Sequence, residues 1–250
     1  MRKNICLIVK LCFLFIITGN TAFSQSAHSD SSSQRNAFNN AVSTFYASVG
    51  NESPIYNGPE YYFYDPNIKG NAYFSDINAF TDGVVNYDGV FYNGVQMIYD
   101  LYKDEVAVLL YNHFSKFSLV SEKVKSFDFL GHHFKNIVND TIYDRDNLKS
   151  GFYDELYNGK TEVLVKRAKD IQANTSGVNG LENYFNYKKD YYFRKGRIYY
   201  SISGKGSLLN VLKDKKKELQ QYIRANNIKF GDDPEDAMVK IATYYDHLTN

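Results

Sequence analysis

Cysteine is almost absent from this chain of 250 residues, and both copies, Cys6 and Cys12, fall within the first 24 positions. The expected mature chain therefore has no disulfide and no cysteine-ligated metal, and its stability must come from packing. Tryptophan is missing altogether and proline occurs four times. Net charge is absent too: the formal value is +1, and removing Arg2, Lys3 and Lys10 with an acid-free leader turns it to −2. That excludes a global electrostatic attraction for nucleic acid. Reaction motifs are equally scarce. There is no Gly-x-Ser-x-Gly elbow. Gly204-Lys205-Gly206-Ser207 lacks the Ser or Thr directly after Gly-Lys and the first glycine that a phosphate loop needs, so it reads as a turn followed by a helix cap.

The one long apolar run lies at the start. Arg2 and Lys3, the apolar residues around Leu11 to Ile17, and the small residues Ala22 and Ser24 have the three parts of a secretory signal over 1–24. Lys10 interrupts the run and leaves it short of a membrane span. Residues 25–34, rich in serine, read as a flexible leader. Residues 35–250 read as a single α+β domain with a possible sub-division near 140–149.

What the chain has in excess is aromatic residues, 23 tyrosines and 18 phenylalanines. Many sit in alternating stretches. Val95, Met97, Tyr99 and Leu101 lie two apart, as do Val106, Val108 and Leu110, then Phe117 and Leu119, then Phe127 and Phe129. This is the period of antiparallel strands with one buried face. Asp88-Gly89 and Asn93-Gly94 punctuate the start of this meander, and their three-residue separation makes one of them a bulge. Hairpins are expected at Gly151–Arg167 around Asn158-Gly159 and at Tyr191–Ile202 around Lys195-Gly196. Ala173–Gly180 and Asp140–Asn147 read as loops. Ile68–Phe74 reads as a short extended piece.

Helical spacing appears at both ends. Ala37, Phe38, Ala41, Val42, Phe45 and Tyr46 form a short amphipathic helix ending near Gly50. Leu208, Val211, Leu212, Leu219, Tyr222 and Ile223 form a second, with Ser207 as its cap. Asp233 and Pro234 open a third, with Met238, Ile241, Ala242, Tyr245 and Leu248 as its stripe. The fold class is α+β: a mainly antiparallel, strongly twisted or half-barrel sheet with a short N-terminal helix and a C-terminal helical pair.

Tyr56-Asn57-Gly58, Glu60-Tyr61, Gly70, Tyr73-Phe74, Tyr99-Asp100, Gly151-Phe152-Tyr153, Leu156-Tyr157, Gly159-Lys160 and the run Leu212 to Leu219 resemble a family of uncharacterised secreted proteins of Bacteroidota. The resemblance implies a Gram-negative envelope location, periplasmic or at the cell surface, and no chemistry.

The functional expectation is an exported binding or carrier module for an apolar, glycan or peptide ligand. Tyr61, Tyr62, Phe63 and Tyr64 are the expected lining, together with the Val95, Met97, Tyr99 and Leu101 face. The alternatives are a structural or protein-interaction component of the envelope and a glycosidase-like hydrolase. No enzymatic site, metal or cofactor is expected. His132 and His133 point to opposite faces of a strand, as do Asp154 and Glu155. Expected partners are a small molecule, a glycan or an envelope protein, with no nucleic acid and no membrane segment after signal cleavage.

Overall fold

The computed structural model describes residues 53–138, 148–176 and 180–249, with residues 33, 34, 37, 40, 41, 44, 45, 48 and 50. The chain divides into two units, Met1–Phe38 and Asn39–Asn250. In the first, the described positions Ser33, Gln34 and Ala37 are helical, so the leader expected over 25–34 is already helical at its end. In the second, Asn40, Ala41, Thr44, Phe45 and Ser48 are helical, within the helix read from the sequence. The signal segment and the Asp140–Asn147 loop lie outside the described residues.

The second unit is built on one open, twisted sheet of ten strands. They are β1 (Thr81–Tyr87), β2 (Val90–Asp100), β3 (Glu105–Leu109), β4 (Lys116–Ser118), β5 (Val124–Phe129), β6 (His132–Ile137), β7 (Gly151–Asn158), β8 (Glu162–Ser176), β9 (Gly180–Lys195) and β10 (Ile198–Ile202). Their order is β10-β9-β8-β7-β6-β5-β1-β2-β3-β4, every neighbour antiparallel. The meander breaks once, where β5 returns to pair with β1. The same sheet joins both sides of residues 139–147, through pairs such as Phe134 with Asp154.

Turn chemistry explains the first hairpin. Asp88 and Gly89 both have positive φ, 53° and 82°, as a primed two-residue turn requires. Gly94 is the bulge: Gly83 pairs with Val95 and Val84 with Asn93, leaving Gly94 over at φ 64°. Of the loop expected at Ala173–Gly180, the described residues Ala173 to Ser176 and Gly180 are instead part of the β8–β9 ladder, which stays in register from Glu162–Arg194 to Ser176–Gly180. Asn174 and Thr175 are exposed on this ribbon, and polar composition alone does not distinguish an exposed ribbon from a loop.

One face of the sheet carries the main core. Tyr99, Phe127, Phe134 and Phe152 converge there; Phe127 and Phe134 stack at 4.8 Å and Tyr99 meets Phe134 edge-on at 5.0 Å. Phe74, from a 3-10 turn at Phe74–Asp76, plugs this group and reaches Phe134 at 5.1 Å. Further along the same face, Val163 and Phe193 lie under three helices, α1 (Lys205–Val211), α2 (Lys216–Ala225) and α3 (Pro234–Leu248). The helix expected over Leu208 to Ile223 is thus broken, by a 3-10 turn at Lys213–Lys215. Ser207 sits three residues past the N-cap Gly204, where its Oγ accepts from the Ser203 and Gly204 amides. Asp233 caps α3 as read, accepting from the Asp236 amide at 3.0 Å. The buried Asp246 of α3 accepts from the Thr161 hydroxyl at 2.8 Å and the Tyr157 hydroxyl at 3.0 Å, pinning the helix to the β7–β8 turn. Among the described residues no helix is long and apolar enough to cross a membrane.

Candidate functional site

Residues 59–78 form a strap tied to several strands. At one end Tyr61 N–H donates to the Lys116 carbonyl and Ser118 N–H to the Pro59 carbonyl, at 2.9 and 2.8 Å. Gly58 permits this approach, since a Cβ there would overlap the Ser118 carbonyl. At the other end Lys69 pairs with β9, donating to the Asn183 carbonyl at 2.8 Å and accepting from Phe185 N–H at 3.0 Å. Leu101 N–H donates to the Ala72 carbonyl at 2.9 Å, and Lys169 N–H to the Leu101 carbonyl at 3.1 Å, so β8 is drawn against the end of β2.

Asp100 organises the strap. Its side chain is fully buried and accepts from the hydroxyls of Tyr61 at 2.7 Å and Tyr64 at 2.6 Å, and from the amides of Tyr102 and Lys103 at 2.9 and 3.0 Å. Burial, followed for Tyr61 by its contact with the Tyr73 hydroxyl and then the Asp100 carboxylate, and for Tyr64 by the hydrogen bond to Asp100, raises both phenol pKa values well above the ordinary range. Both tyrosines are therefore neutral donors at any physiological pH.

Outside this anchor lies a cleft of about 550 Å³ lined by Phe63, Tyr64, Tyr73 and Phe185 with Asp65, Asn71 and Asn78. Tyr64 and Phe185 meet edge-on at 5.2 Å, and Phe63 faces Tyr73 at 6.3 Å. Phe63 is 50% exposed, although a phenylalanine gains most from full burial.

The structure splits the expected lining. Phe63 and Tyr64 border the cleft. Tyr61 is buried beneath it, and Tyr62 is exposed and donates to Glu60 at 2.6 Å. The expectation for Val95, Met97, Tyr99 and Leu101 is corrected: Met97, Tyr99 and Leu101 are sealed in the core, and Val95, also buried, borders only a cavity of about 80 Å³ near Ile55 and Tyr92. The curled sheet folds that face over its own rings, and Phe74 fills what an open half-barrel would leave empty. Tyr73, Asn78 and Phe185 were not among the expected residues. Phe185 reaches the cleft only through the register of β9 with Lys69.

A second opening, of about 310 Å³, lies on the other side of residues 71–78. It is bordered by Phe74, Ser75, Asp76, His132, Arg167, Lys169, Tyr187, Lys189 and Glu235. Strand register assembles it. Arg167 pairs with Lys189 and Lys169 with Tyr187, and side chains two apart on β8 and β9 share one face. Arg167, 4% exposed, donates from Nε to Asp154 Oδ2 at 2.7 Å and makes a two-pronged pair with Glu235 at 3.0 and 2.7 Å. Burial opposes its charge, but the Glu235 hydrogen bonds and the Asp154 field outweigh burial and hold its pKa above the ordinary value. Glu235 is shifted the opposite way: burial favours its neutral form, and hydrogen bonds from Arg167 and Lys189 outweigh that and depress its pKa. His132 Nδ1 lies 2.8 Å from the same Asp154 oxygen. Ser75 and Asp76, at φ 53° and 56°, occupy the left-handed region, a strain of roughly 1–2 kcal/mol per residue.

No protein-family model, curated protein or solved structure matches this chain. Among the described residues no group of three or more His, Cys, Asp or Glu is placed to hold a metal. Asp154 and Glu155 face opposite sides of β7, the first toward His132 and the second toward Lys135. Asp154 and Glu235 share one guanidinium, and Glu235 is driven toward the charged form. A glycosidase needs one carboxyl held protonated, and this arrangement works against it.

Proposed function

We propose that the protein is an exported binding module of the bacterial envelope that takes a glycan in the cleft between the strap and β9. The observation that carries this reading is the half-exposed Phe63, beside the paired rings of Tyr64 and Phe185, with Asp65 and Asn78 at the rim. Rings offer a stacking surface for the C–H face of a sugar, and carboxylate and amide groups meet its hydroxyls. A purely apolar ligand would make no use of these rim groups. The core face is filled by its own aromatic rings, so the ligand of this reading sits on the surface and not inside the sheet.

A glycan array tests it, probed with the wild type and with Phe63→Ala. The expected result is a set of bound glycans whose affinity falls at least tenfold in the variant while the melting temperature is unchanged. An array without hits, or with hits indifferent to Phe63, refutes the reading. One observation favours the protein-interaction alternative: Phe114 is 80% exposed, and Lys116 lies over the rings of both Phe114 and Phe63, at 5.5 and 5.2 Å. A stoichiometric polypeptide co-purifying from the native host, and released by Phe114→Ala, would support it.

A further inference from the structure

The second opening combines three features that the binding reading does not use. The first is a histidine held through one ring nitrogen. His132 Nδ1 lies 2.8 Å from Oδ2 of the buried Asp154, and in the tautomer that donates from Nδ1 the other nitrogen, Nε2, is an acceptor. His132 borders the opening with its side chain about one-third exposed, and its ring is held edge-on against Phe74 at 5.0 Å. The second is Ser75, exposed at the border of the same opening in a strained backbone conformation. Such strain persists only where the surroundings enforce it. Here Lys169, almost fully buried, donates to Asp76 Oδ1 at 2.5 Å and to the Asn71 carbonyl at 2.8 Å, and Asn71 Nδ2 donates to the Asp76 carbonyl at 2.9 Å. A buried lysine is thus committed to holding the turn that presents one serine. The third is Tyr187, which borders the opening and whose hydroxyl accepts from Arg167 at 3.1 Å.

From these we propose that the opening is a hydrolytic site for short-chain carboxylic esters, with Ser75 as nucleophile, His132 as general base and Asp154 as its positioning residue. Ser75 Oγ attacks the ester carbonyl carbon and gives its proton to His132 Nε2, while Tyr187 donates to the oxygen that gains charge. The intermediate collapses to an acyl-serine, and the leaving alkoxide takes the proton from His132. Water then repeats the sequence: His132 removes its proton, the hydroxyl adds to the acyl carbon, and the carboxylic acid departs as Ser75 regains a proton. A volume of about 310 Å³ restricts the acyl group to a short chain. The order of partners differs from any sequence motif, because the three residues come from the strap, β6 and β7.

The test is covalent labelling of the full chain with a fluorophosphonate, the site mapped by peptide mass spectrometry, alongside hydrolysis of 4-nitrophenyl acetate and butyrate. The expected label is on Ser75 alone. Ser75→Ala, an exposed substitution that leaves the core intact, loses the label and the hydrolysis. His132→Gln slows labelling at least a hundredfold, in line with the usual contribution of a general base. Asp154→Asn, which keeps the shape of the side chain, lowers the maximal labelling rate without weakening the concentration dependence on the fluorophosphonate, a split that loss of fold would not give. An unlabelled wild type, a label outside Ser75, or His132→Gln labelled at the wild-type rate overturns the proposal. Each outcome is independent of the cleft, whose ligand is tested through Phe63.

Discussion

The two openings lie on either side of residues 71–78, yet they are built from opposite materials. The cleft has aromatic walls with Asp65 at its rim, and the Asp100 carboxylate that anchors the strap is buried behind tyrosine donors. The other opening is walled by ions, where one guanidinium joins Asp154 of β7 to Glu235 of α3. The difference teaches where stability and recognition reside. An exposed ring such as Phe63 contributes little to folding and is free to serve a ligand, whereas Arg167 ties strand to helix, and its removal takes the guanidinium from the buried Asp154 and leaves Glu235 to Lys189 alone.

Three variants sharpen that contrast. The largest effect belongs to Arg167→Ala, which should lose about 3–5 kcal/mol in denaturant unfolding, the usual cost of breaking a buried ion pair from one side. A loss below about 1 kcal/mol would show that the network is solvated and not structural. Asp100→Ala comes next. It strands the Tyr61 and Tyr64 hydroxyls and two amides, so a loss of about 2–3 kcal/mol is expected, accompanied by weaker ligand binding as the strap loosens. The smallest effect is the pH dependence carried by Glu235. Its folded pKa lies below its unfolded value, so its contribution is complete above about pH 4.5 and is lost as pH falls through the folded value. Glu235→Gln should therefore flatten the stability profile below pH 4.5 and leave its shape near pH 7 unchanged.

How far the sequence foretells these features depends on the range of the interaction involved. Asp88-Gly89, Asn158-Gly159 and Lys195-Gly196 each mark a hairpin because turn chemistry is local, and period-two runs mark the strands between them. Tyr61–Tyr64 reads as a strand by propensity but is none. Glu60 makes the only bridge there, to Phe117, and the two tyrosine hydroxyls turn inward to Asp100, 39 and 36 residues away. The ionic opening is less legible still. His132, Asp154, Arg167 and Glu235 carry no common motif, and only the pairing of β6 with β7, β7 with β8, and the docking of α3 brings them within hydrogen-bond distance. His132-His133 and Asp154-Glu155 could be divided between faces by strand alternation alone, but which member faced inward required the register. The Met97–Leu101 face shows the converse limit. Alternation identifies a buried face correctly, and it says nothing of whether side chains or a ligand fill the space above it.

The most direct test of the central claim, that the aromatic cleft is the binding site, is backbone amide chemical-shift mapping as a bound glycan is titrated into the isotopically labelled protein. The binding reading predicts shifts concentrated at Phe63, Tyr64, Tyr73, Asn78 and Phe185, with Met97, Tyr99 and Phe134 unmoved. Shifts centred on the ionic opening or on the Phe114 turn, with the cleft silent, would contradict it.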